Sequence, residues 1–178
     1  MSNTNNSASI AIRFGLLTGV IKIILDTLTY QFFLDSWLLM TSMTVVSFAA
    51  GITLMIIAGK QQRSEMGGYM DIKEAFRVVF ITALIAVVIN YAYGYIYMHF
   101  IDTTMMDKIK EASISSAEKW GAPQETLDRM ADEFDKQNLE KNNISKQMLG
   151  LAGSIVLYGI LSFICAAIIK KNKPKDLA

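Results

Sequence analysis

The stretch WLLMTSMTVVSFAAGITLMIIAG, from Trp37 to Gly59, contains no charged residue. At 1.5 Å per residue, a helix of this length reaches roughly 34 Å, enough to cross a hydrocarbon layer about 30 Å thick. A soluble helix of the same size would carry charge on its outer face. A bilayer also demands helix here, because a spanning segment has to satisfy its own backbone N–H and C=O groups.

Three further runs share this character. Val78 to Ile101 and Leu149 to Ile169 contain no Asp, Glu, Lys or Arg, and the latter ends at Lys170-Lys171. Ser9 to Tyr30 is mostly apolar but holds Arg13, Lys22 and Asp26. Its basic residues lie inside the apolar stretch and no small-residue cleavage pattern follows, so it reads as a retained helix and not a signal peptide. The expected fold is an all-α integral membrane four-helix bundle in one membrane domain, with a helical extramembrane segment between the third and fourth spans.

The whole-chain averages agree. The 178 residues are 52% hydrophobic and 19% charged, with a mean hydropathy of +0.33, too apolar for a typical soluble domain or a disordered chain. A net charge of +1 argues against nucleic acid as a partner, since no basic surface replaces phosphate counterions. The single Cys165 excludes a disulfide framework and a cysteine-rich metal site.

Basic residues near span ends set the expected orientation. Lys60, Arg63, Lys73 and Arg77 fall in the loop 60–77, and Lys170, Lys171, Lys173 and Lys175 in the tail. The loop 102–147 has ten acidic against seven basic residues. Both termini are therefore expected in the cytoplasm, with 102–147 on the far side of the membrane. Asp35 is then the one charge of a short outer hairpin, and Tyr30, Trp37, Tyr95, Tyr97 and His99 fall at the outer interface, where amphipathic rings anchor.

In the outer segment, Asp102 to Trp120 lacks Pro and Gly and reads as helix. Gly121-Ala122-Pro123 breaks it, and Pro123 suits the first position of a second helix. Leu127, Met130, Ala131 and Phe134 then follow helical spacing. That stripe needs a cover: the preceding helix through Met106, Ile109 and Ser113, the membrane surface, a second copy, or a membrane or periplasmic protein. Asn143-Ile144-Ser145 matches a glycosylation sequon without a context that would use it. In the inner loop, Gly67-Gly68 predicts a turn and Asp71, with Glu74 three residues on, a helix start.

The first span concentrates its polar residues. On a helical wheel Gly15, Thr18, Gly19, Lys22, Asp26 and Thr29 share an arc of about 100°, with Arg13 opposite. Gly15 and Gly19 form a GxxxG sequence suited to close helix packing. Lys22 and Asp26 are one turn apart and can neutralise each other; they read either as a structural pair locking register or as a relay or substrate contact. Asn90 lies at comparable depth on a stripe with Ala83, Ala86, Tyr93, Gly94 and Tyr97. Thr44, Ser47 and Gly51 share a face of the second span, and Gly150 and Ser154 lead to Tyr158 in the fourth. Small and polar stripes facing inward give the expected bundle.

No P-loop, HExxH, GxSxG, GxGxxG or EF-hand spacing occurs. His99 has no ligand partner in sequence and Cys165 no evident base, so no catalytic residue, metal or cofactor is expected. Two readings remain: a non-enzymatic structural, interaction or accessory protein, and a small transporter or channel component using Lys22 and Asp26.

The arrangement of the whole chain, two N-terminal spans, Gly67-Gly68-Tyr69-Met70-Asp71-Ile72-Lys73-Glu74-Ala75-Phe76 before a tyrosine-rich third span, a charged helical segment and a last span ending in lysines, resembles the bacterial family called domain of unknown function 4199. The resemblance implies a four-span inner-membrane protein with a periplasmic helical segment. It brings no activity and no site residues.

Overall fold

A computed structural model of the protein describes residues 2–34, 36–140 and 142–173, leaving aside the side chains of 2–6. Asp35 and Lys175 lie outside the described residues. Six α-helices follow one another: α1 (Ser2–Phe32), α2 (Trp37–Glu65), α3 (Ile72–Ile96), α4 (Met105–Lys119), α5 (Gln124–Glu140) and α6 (Ile144–Ile169), with a π-helical turn (Tyr97–Ile101) closing α3. The helices α1 (from Ser7), α2 and α6 are long and apolar enough to cross a membrane. The fourth long helix, α3, packs against all three of the others.

Side-chain size explains that central position. Gly15 and Gly19 of α1 are buried against α3. A Cβ on either would come within 2.7 Å of Ile85 or 2.9 Å of Ile89. Ala75, Val79, Ala83 and Ala86 keep α3 narrow on its buried faces. Thr82, fully buried, donates to its own helix at Val78 O (2.9 Å) and toward Ala11 O on α1 (3.4 Å). On α2 the buried set Ser47, Gly51, Met55, Ala58, Gly59 and Gln62 runs at helical spacing. Leu16, Leu17, Val20 and Ile24 on the opposite side of α1 are about half exposed, as an apolar surface meant for lipid would be. Arg13 is exposed on that side, as its wheel position requires.

The inner loop is shorter than the sequence suggests. α2 runs six residues past Gly59 and α3 begins six before Val78, because polar residues at helix ends can continue the hydrogen-bonded spiral outside the apolar zone. Gly67 and Gly68 turn the chain at φ +79° and +89°, values that Cβ-bearing residues rarely adopt. Asp71 caps α3 by accepting from Glu74 N at 2.8 Å. The same end ties down the tail: Arg63 donates to Ile169 O at 2.7 Å, Met70 and Lys171 exchange backbone hydrogen bonds of 2.9 Å, and the Lys171 ammonium stands over the Tyr69 ring. The main apolar core lies here too, built from Met55, Met70, Val79, Cys165, Ala166 and Ile169.

At the opposite end α4 and α5 form an antiparallel hairpin. Lys110 reaches Asp135 at 2.6 Å and Asn138 donates to Asp107 at 3.0 Å. Gly121 turns the chain at φ +79°. Pro123 stands one residue before α5 and not in its first turn, its carbonyl accepting the first two amide bonds. Leu127 and Ser113 are buried, while Met130, Ala131 and Phe134 are half-buried. α4 and α5 pack on each other.

Asp102 opens this hairpin, its carboxylate accepting from Lys108 (2.7 Å) and from the Thr104 hydroxyl (2.7 Å) and amide (3.1 Å). The Lys108 and Thr104 hydrogen bonds hold its carboxyl below the ordinary carboxylate range. A lowered folded-state pKa contributes stability above the unfolded value, which is lost as pH falls through the folded one. Protection of the amides at the start of α4, taken relative to their intrinsic exchange rates, is therefore expected to fall on acidification, and in Asp102→Asn to be low already at neutral pH and insensitive to acid over that window.

Candidate functional site

The polar residues of the first span meet partners on two other helices. Lys22 Nζ donates to Ser47 Oγ at 3.2 Å, and the Ser47 hydroxyl donates in turn to Asp26 Oδ1 at 3.4 Å. Asn90 Nδ2 donates to Asp26 Oδ2 at 2.6 Å. Lys22, Asp26 and Asn90, which the sequence places at one depth, are thus brought into one network. The direct Lys22–Asp26 contact is not formed within ion-pair distance, and a hydroxyl from α2 stands between the two charges. The buried Ser47 face of α2 supplies one hydroxyl that accepts from Lys22 and donates to Asp26. Sequence spacing showed that Ser47 faces inward, not which helix it meets.

A cavity of about 560 Å³ reaches this network from the hairpin end. Asp26 and Asn90 form its floor, and Tyr30, Tyr91, Tyr93 and Tyr95 line its sides. His99, Glu140 and Lys146 stand among its remaining lining residues, the last two within 3.5 Å of each other. The walls are held. Tyr93 and Thr27 share a hydrogen bond through their hydroxyls, and Tyr91 donates to the Gln147 carbonyl of α6. Gly150 leaves room for that bond, since a Cβ there would sit 2.9 Å from the Tyr91 oxygen. His99 donates from Nδ1 to Tyr95 O (2.9 Å), stacks on the Tyr95 ring at 4.1 Å, and shares a hydrogen bond through Nε2 with the Asn142 side chain (3.0 Å).

Several residues differ from their expected roles. Tyr97 is only 5% exposed and packs on Tyr30 and Tyr93, so it fills the bundle and does not anchor at an interface. Thr44 is exposed and bonds its own helix at Met40 O, since its rotation on α2 carries it off the Ser47–Gly51 face. Tyrosines at the alternate positions 91, 93 and 95 are the sequence signal for the cavity. On a helix alternate residues point in all directions, so that signal names no face. Glu140, Lys146 and Gln147 left no signal, because the turn between α5 and α6 brings them to the cavity.

Together these features define an all-helical bundle with three helices long and apolar enough to cross a membrane, enclosing a polar network under a tyrosine-lined cavity. The chain belongs to the family described as Protein of unknown function (DUF4199), whose model matches residues 13–171. Neither the curated proteins nor the solved structures provide a match.

Proposed function

We propose that the chain is a non-enzymatic accessory protein of the bacterial inner membrane, with four spans, both termini in the cytoplasm and the α4–α5 hairpin presented outside to a second copy or to another envelope protein. The observation that carries this reading is the hairpin itself. Its apolar stripe at Leu127, Met130 and Phe134 is taken up against α4, its charged pairs tie it into a unit, and Trp120 at its far turn is 72% exposed. The exposed indole at the tip of the hairpin is where such a partner would touch, Trp being among the residue types most enriched at the energetic centres of interfaces. The Lys22–Ser47–Asp26–Asn90 network then locks three helices in register.

A photo-crosslinking amino acid replacing Trp120 in living cells is expected to trap a species larger than the monomer, while one replacing Met130 gives contacts within the chain. Mixing two differently tagged copies separates a second copy from another protein. Monomer alone from position 120 overturns the proposal.

The transport reading is favoured by the cavity that reaches Asp26 from the outer side. It requires Lys22 and Asp26 for more than folding. If Lys22→Ala with Asp26→Ala recovers the abundance lost by either single substitution and leaves cell phenotype unchanged, that reading fails.

A further inference from the structure

The cavity has a sign and a surface of its own. Its volume, about 560 Å³, falls in the range of roughly 300–1,000 Å³ that small ligands occupy. At the mouth, Glu140 and Lys146 offset each other at 3.5 Å. At the floor, the Asp26 carboxylate meets two neutral donors, Asn90 at 2.6 Å and Ser47 at 3.4 Å, while the Lys22 ammonium reaches it only through Ser47 and stands outside the lining. A carboxylate accepts about four hydrogen bonds, so capacity remains on the cavity side. Tyr30, Tyr91, Tyr93 and Tyr95 line the cavity around it. Aromatic faces attract cations through the ring quadrupole, and the half-buried carboxylate at their base gives a positive centre its counter-ion. An anion would meet repulsion from Asp26, and a neutral apolar ligand would strip the carboxylate of water without replacing it.

We propose that this cavity binds a small organic cation, an ammonium or quaternary centre with apolar substituents, using Asp26 as counter-ion. The site stands apart from the accessory role: it needs neither the hairpin's partner nor a particular orientation in the membrane, so crosslinking at Trp120 and binding in the cavity succeed or fail separately.

The test uses the purified full chain in detergent, with radiolabelled tetraphenylphosphonium in equilibrium dialysis and tetraphenylborate as the same shape with the opposite charge, each corrected against protein-free micelles. Saturable binding of the phosphonium with one site per chain is expected, with none for the borate. Asp26→Asn keeps the side-chain volume and an acceptor, and is expected to weaken phosphonium binding at least about ten-fold. Tyr95→Leu removes ring surface and should weaken it by a smaller factor. Saturable binding of both ions alike, no saturable phosphonium binding, or unchanged affinity in Asp26→Asn overturns the proposal. Should Asp26→Asn not fold, as judged by thermal unfolding, the two-ion comparison on the unaltered chain and the Tyr95→Leu affinity decide it.

Discussion

Gly15→Leu is expected to abolish the folded protein, and Gly15→Ala to destabilise it by about 1–3 kcal/mol, the usual cost of overpacking a fitted core. A Cβ at this position would lie 2.7 Å from Ile85 Cβ and 3.1 Å from the Thr82 carbonyl oxygen. The first of these sits at the root of a branched side chain and the second is backbone, so neither can swing aside, and α1 would have to leave α3. Gly51→Ala is the internal control. It too is a buried glycine in a long helix, yet no atom lies within 4 Å of its added Cβ, so the gain in helix propensity, up to about 1 kcal/mol, should leave stability unchanged or raised. Thermal unfolding in detergent, with membrane abundance as the cellular readout, separates the two. Equal behaviour of Gly15→Ala and Gly51→Ala would mean that α1 and α3 do not touch as described.

The second large effect is expected at Asp26. Asp26→Ala removes the acceptor of Asn90 and of Ser47 together, and leaves Lys22 without a carboxylate one turn away. In the four-span arrangement proposed above this strands a charge inside the bilayer, at a cost of about 2.5–3.5 kcal/mol. Lys22→Ala combined with Asp26→Ala should recover most of that loss, because the unpaired charge is then gone as well. Ser47→Ala should cost less, about 0.6–2 kcal/mol, the measured range for interhelical hydrogen bonds in membranes. The order Asp26→Ala, then Ser47→Ala, with the double substitution nearer the unaltered protein, is checked in one unfolding series. An Asp26→Ala protein as stable as the original would show that the network holds nothing together.

The legible part of this structure is the part set by composition and period. Lys22, Asp26, Thr18 and Thr29 share an arc with Gly15 and Gly19 on the wheel, and the same arc is the face of α1 turned inward, because helix geometry fixes angular positions before any partner exists. Likewise Gly67-Gly68 and Asp71 predict their turn and cap from local backbone chemistry alone. The Lys22–Asp26 contact that this spacing allows is not made directly, for the complementary reason. Two residues four apart can always meet, and only a third helix decides whether something better is offered to each. Ser47, on α2, is that third party. Tyr97 repeats the lesson: an aromatic ring at the end of an apolar run suits an interface, but its neighbours Tyr30 and Tyr93 enclose it.

What the sequence by itself determined is helix, length, the inward arc of α1 and the family. Each of these follows from hydrophobic burial and backbone hydrogen bonding within a single segment or from the pattern of residues along the chain. What only the tertiary structure decided is which helices touch: that α3 sits at the centre, that Ser47 and Asn90 divide the Asp26 carboxylate between them, that Leu127 and its stripe turn toward α4, and that the turn before α6 brings Glu140 and Lys146 to the cavity above Asp26. Contacts of this kind depend on the rotation and depth of one helix relative to another, set by close packing at glycines such as Gly15 and Gly19, and no periodicity within a single segment encodes them.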